Sequence, residues 1–154
     1  TVYEAVQLIE DLGARLDPAL RRHMLQAAER TRATTIDAVD RLMNTTEFFV
    51  HLEDVRRAQP DWEPRELDDD LVVDLTSALR RMAKPLTRRA PVGITLAPQD
   101  GEPIVAKDGE PMVTVRGPVG ELLLFVFGRQ AHARVALEGD EAAIERVRNA
   151  SFGL

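Results

Sequence analysis

Up to Leu86 the apolar residues recur every three or four positions, and beyond Pro91 they alternate every second position. No single regular element accommodates both periods. The chain must therefore pass from helices to a small sheet near residues 87 to 92, an α+β arrangement of two subdomains. Before the switch, Val2 to Leu16, Pro18 to about Ala33, Thr35 or Ile36 to Ala58, and about Asp69 to Leu86 read as helices. Asp17 and Pro18 supply an N-cap and a proline at the first helical position. The inward face of that second helix is Leu20, Met24, Ala27 and Thr31, with His23 at its margin. Pro60 and Pro64 stop the third helix, because a proline ring clashes with the preceding turn and donates no N–H. Asp68, Asp69 and Asp70 complement the positive end of the fourth, whose core face is Leu71, Leu75, Leu79 and Met82.

After the switch, Val92 to Leu96, Ile104 to Ala106 and Met112 to Val115 alternate between glycine- and proline-bearing turns, the pattern of short strands. Gly117 to Gly120 opens a short apolar helix from Glu121 to about Gly128. A strand from Ala133 to Leu137 and a helix from Asp140 to about Ala150 follow. The expected units are a helical bundle over 1–88 and a small α/β domain over 89–154.

The 154 residues are 44% hydrophobic, enough for one good core or two small ones. Acidic side chains outnumber basic ones 26 to 20, a net charge of -6, which argues against a nucleic-acid surface. The Arg80-Arg81 and Arg88-Arg89 pairs are too few to reverse this. There is no cysteine, which excludes disulfides, Cys-based zinc sites and a thiolate nucleophile, so any thiol chemistry must come from a cofactor. The longest apolar run, Leu122 to Phe127, is far short of the roughly 20 residues of a membrane span. No secretion signal opens the chain, so a cytoplasmic protein is expected. A start at Thr1 rather than Met reads as a fragment or a processed form.

The sharpest chemical signal is in the third helix. With Ile36 at zero and about 100° per residue, Val39, Met43, Glu47, Val50, His51 and Asp54 fall within about 60° of it. A carboxylate, an imidazole and a second carboxylate thus share the apolar stripe. Burying an ionised carboxylate is costly without a cation, a proton or dense hydrogen bonding. Glu47 and His51, one turn apart, suit a divalent metal, and their donor atoms are expected within roughly 3 to 4 Å of each other. The alternative is a metal-free buried pair. Asp54 would orient His51 from outside the ligand set or pair with Arg56 or Arg57.

The stretch Asn44-Thr45-Thr46-Glu47-Phe48-Phe49-Val50-His51-Leu52-Glu53-Asp54-Val55-Arg56-Arg57-Ala58-Gln59-Pro60, followed by Trp62 to Leu67, resembles the mycothiol-dependent maleylpyruvate isomerase-like family of DinB-type metal-binding proteins. Val115 to Arg129 resembles that family's C-terminal module, which is similar to sterol-carrier proteins. Together they cover about residues 36 to 154. The resemblance implies a DinB-like helical bundle followed by a small sterol-carrier-like α/β domain, and a metal, usually zinc, held by two histidines and a glutamate. Glu47 and His51 match its Glu-x-x-x-His pair. The family's first histidine lies in a Gly-Trp-Thr-x-x-Asp-Leu-x-x-His pattern on an early helix, which residues 1 to 35 lack. Either that ligand lies outside this chain, or His23 substitutes, or the site is degenerate.

The implied activity is a zinc-dependent isomerase or transferase that activates mycothiol, another small thiol, or water, and acts on a small-molecule substrate. Arg129 matches the family's substrate-side arginine, where a guanidinium would clamp a carboxylate. A structural arginine at a helix end is the competing reading. The other function considered is a metal-free or degenerate homologue that binds a small molecule or a protein. No membrane partner is expected, and a homodimer is allowed. Phe48, Phe49, Phe125 and Phe127 read as core, and Gly117 to Gly120 as a turn rather than a phosphate loop.

Overall fold

The computed structural model describes residues 22–24, 26 and 38–153. The helices expected over 2–16 and 18–33 lie outside these, except that 22–24 and 26 are helical. The protein is mixed α/β, with helices and one four-stranded sheet. It divides into two compact units, Thr1–Glu63 and Pro64–Leu154.

In the first unit, α1 spans Ala38–Arg57. Its last turn loosens where Ala58 N–H reaches Asp54 O at 3.2 Å and Gln59 N–H reaches Arg56 O at 3.1 Å, and Pro60 follows. Thr46, Phe49, Val50, Leu52, Glu53, Val55 and Arg57 are buried.

The second unit begins with α2, Asp69–Thr87. The Asp68 carboxylate caps it by accepting the Leu71 N–H at 2.8 Å. Leu75, Ala78, Leu79, Met82, Ala83 and Leu86 recur at helical spacing and are buried. The boundary between the two units falls between Glu63 and Pro64, which puts α2 in the same unit as the sheet. The physical reason is that α2 packs on the sheet and its covering helix. Thr87 Oγ1 makes the junction, 2.8 Å from Ala83 O and 3.1 Å from Ala106 O.

The sheet is built from β1 (Gly93–Pro98), β2 (Ile104–Lys107), β3 (Met112–Gly117) and β4 (Ala136–Glu138), in the order β2-β1-β3-β4. β1 runs antiparallel to β2 and parallel to β3, which runs antiparallel to β4. The parallel register puts Ile94 opposite Val113 and Leu96 opposite Val115. All four are fully buried, so this face is the core, and Thr95, Thr114 and Arg116 alternate onto the other. On that second face Arg116 Nε meets Glu138 Oε1 at 3.0 Å. The hydrogen bond and positive charge of Arg116 hold the Glu138 carboxyl below its usual range.

Between β3 and β4, α3 (Val119–Val126) has all eight residues buried, apolar but for Glu121, whose carboxylate is hydrogen-bonded. Gly128, at φ +86°, ends it. Gly128 N–H bonds Phe125 O at 3.1 Å and Arg129 N–H bonds Leu124 O at 2.9 Å, the paired bonds of a Schellman stop. β4 is shorter than the expected Ala133 to Leu137. Ala133 N–H is taken by Arg129 O at 2.9 Å, and Arg134 N–H by the buried Glu121 carboxylate at 2.7 Å, so neither reaches the ladder. Helix α4 (Glu141–Arg148) is capped by Asp140, which accepts Ala143 N–H at 3.0 Å, and buries Ala143 and Val147. The tail then returns, with the Phe152 ring tilted against that of Phe125, centroids 5.4 Å apart.

Candidate metal centre

Helix α1 keeps Glu47, His51 and Asp54 on one stripe, but that stripe is not the packed one. Glu47 is exposed, and His51 and Asp54 are half-buried, with side chains 30% and 33% accessible. With Thr46 at zero, the buried Phe49, Val50, Glu53 and Arg57 lie within about 60° of it, and the Glu47 stripe about 80–140° away. The expectation that Glu47 faces the packed interior of a bundle is therefore corrected. Desolvation accounts for the exposed Glu47: a carboxylate is cheaper to leave in water than to bury, while Phe49 and Val50 on the Thr46 side are buried.

The carboxylate that does go inside is Glu53, 1% exposed. It accepts Arg56 Nη1 at 2.8 Å and Arg57 Nε at 3.0 Å, and Arg57 also lies 4.5 Å from the centre of the Trp62 ring. Sequence reasoning missed this cluster. Its signal was available in Glu53 followed three and four residues later by arginine, the spacing at which helical side chains meet. Both arginines considered for Asp54 also bond Glu53.

His23 is exposed, and its ring stands edge-on to His51 with the centroids 5.3 Å apart. An ion about 2.0–2.1 Å from a ring nitrogen lies about 3.1 Å from that ring's centroid, so two imidazoles on one tetrahedral ion have centroids about 5 Å apart. The observed separation fits that requirement. Asp54 Oδ2 lies 3.9 Å from His51 Nδ1, beyond a direct hydrogen bond. Glu47 supplies a carboxylate one turn before His51, the residue type a third ligand requires. Among the described residues no group of three or more His, Asp or Glu side chains is already gathered to hold an ion. The centroid spacing is equally that of an ordinary edge-on ring pair, so it is compatible with a shared ion without requiring one.

Arg129 sits in the second unit, half-buried, as the residue after the Gly128 stop. Its Nη1 donates to Phe127 O at 2.7 Å, covering a carbonyl at the helix end. His132 is exposed on the same turn. Phe49 and Phe125 are core as expected, while Phe48 and Phe127 are half-buried. Among the described residues no helix is long and apolar enough to cross a membrane. Compared with protein-family models, curated proteins and solved structures, the chain matches none.

Proposed function

We propose that the first unit carries a divalent-metal site formed by His23, His51 and Glu47, in a DinB-like helical bundle joined to a sterol-carrier-like α/β domain. Support comes chiefly from the 5.3 Å spacing of the two imidazoles, together with the Glu47-x-x-x-His51 motif. Two neutral imidazoles and a carboxylate suit zinc among the common ions. His23 takes the place of the histidine absent from the early helix. Bound there, zinc would lower the pKa of a coordinated thiol or water toward neutrality.

In this reading the two histidines orient and hold, Glu47 contributes the negative charge, and Asp54 steers the His51 ring. The half-exposed face leaves room for a small thiol such as mycothiol, which a chain without cysteine needs as a cofactor. The activity is then a metal- and thiol-dependent isomerase or transferase acting on a small molecule. The second reading, a metal-free binding module, draws on the absence of a gathered three-ligand group among the described residues.

Zinc titrated calorimetrically into the chelator-treated full chain separates the two. One site is expected, weakened in Glu47→Gln. His51→Ala and His23→Ala should each weaken it by more than the roughly 10–100-fold that follows loss of an outer partner. Adding a monothiol to the zinc form should release a proton at neutral pH. No zinc binding by the original chain would leave only the metal-free module, and equal affinity in the original chain and both histidine variants would remove His23 and His51 as ligands.

A further inference from the structure

The second unit has a shallow, open groove of about 520 Å³. Its walls are the turn after α2, with Arg89 and Pro91, one stripe of α4, and the tail residues Ala150 and Ser151. The α4 stripe is Ala142, Glu145, Arg146 and Asn149, the positions a helix shows on one side when Ala143 and Val147 point inward.

Arg89 and Arg146 face this groove, and neither has a carboxylate partner among the described residues. Arg146 spends only its Nε, in a long 3.4 Å bond to Ala142 O. Glu145, the acid on the wall, is already engaged by Asn149 Nδ2 at 2.8 Å and lies 3.7 Å from Arg148 Nη1. Two arginines with no carboxylate partner among the described residues share this lining with Pro91, Ala142 and Ala150, so it offers both charge for an anion and apolar surface. The protein as a whole is acidic, at -6. That net field is screened within about 8 Å at physiological salt, so the local guanidiniums decide what binds.

We propose that this groove binds a small organic monoanion, a carboxylate with an apolar body, whose head lies between Arg89 and Arg146. Guanidinium and carboxylate match as two parallel hydrogen bonds. A dianion is disfavoured, because the groove lies along the C-terminal half of α4, where helix carbonyls present negative charge, and beside Glu145. The apolar floor rewards a hydrocarbon body that an inorganic anion lacks. The inference is independent of the metal site, and substitutions at His23 or His51 leave it unaffected.

The test is a proton–nitrogen NMR titration of the full chain with hexanoate, hexanol and inorganic phosphate. Hexanoate should shift the amides of Ala142, Arg146, Ala150 and Ser151 and saturate with a Kd on the order of 1 mM, as suits so small a ligand. Hexanol, which lacks the charge, and phosphate, which lacks the body, should each bind at least about tenfold more weakly. Arg89→Ala and Arg146→Ala should each weaken hexanoate about tenfold, the loss of one charge-assisted contact. Arg148→Ala, whose guanidinium faces Glu145, should change little. Both arginines are exposed, so folding is not at stake. Shifts clustering elsewhere, no saturable shift, unchanged binding in both arginine variants, or phosphate binding as tightly as hexanoate would each overturn the assignment.

Discussion

Replacing Glu53 by alanine should destabilise the helical unit by about 3–5 kcal/mol, the cost of removing one partner from a buried ion pair. The size follows from burial. Glu53 is 1% exposed and the Arg57 side chain 5% exposed, so removing the carboxylate takes a close charge partner from a buried guanidinium. A solvent-exposed pair of the same types would contribute at most about 1 kcal/mol. Trp62, the chain's one tryptophan, lies over Arg57 and reports the transition by fluorescence in urea. Replacing Glu53 and Arg57 together with leucine should recover much of the loss, because the pair's desolvation cost disappears with it. A change within about 0.5 kcal/mol for Glu53→Ala, typical of surface positions, would mean the pair is not buried in solution.

Gly93→Ala is expected to be the most damaging small change in the α/β unit, at about 1–3 kcal/mol or more. A Cβ there would collide with the carbonyl oxygen of Gly109 and come within 2.9 Å of both Gly109 C and Met112 Cε. Met112 can swing aside, but Gly109 is main chain, at φ +153°, a conformation nearly confined to glycine. Gly93 N–H is also bonded to Pro111 O at 3.1 Å, so β1 cannot simply retreat from that loop. Gly101→Ala is the comparison that carries backbone strain alone, since its φ of +123° disfavours any side chain while nothing lies within 4 Å of the new atom. Thermal melts should place Gly93→Ala clearly below Gly101→Ala. If the two coincide, the tight approach of Gly109 is mistaken.

The α/β unit was largely legible because its signals are local. Asp68 and Asp140 cap the helices they precede, and the alternation of Ile94 with Leu96 and Val113 with Val115 places β1 and β3 within a residue or two. The placement of α2 was not, since an amphipathic stripe states that a face is buried without stating against what. The phase of α1 was misjudged for a related reason. Counting from Ile36, Glu47, His51 and Asp54 share a face with apolar residues, but Glu53 neutralised by Arg56 and Arg57 is cheaper to bury than Glu47. The Glu47 and His51 pairing was visible in one-turn spacing. That His23 stands beside His51 was open to sequence only as a substitution, because contact between residues 28 positions apart is tertiary.

Metal content tests the central claim most directly. The full chain purified without chelator should carry about one divalent ion per molecule by elemental analysis, zinc in preference to magnesium or calcium, as imidazole donors dictate. The His23→Ala, His51→Ala double variant, purified in parallel, should carry far less while remaining folded, since His23 is exposed and His51 half-buried. Metal-free original chain that takes up no zinc on addition, or a double variant that retains as much metal as the original, would contradict the account.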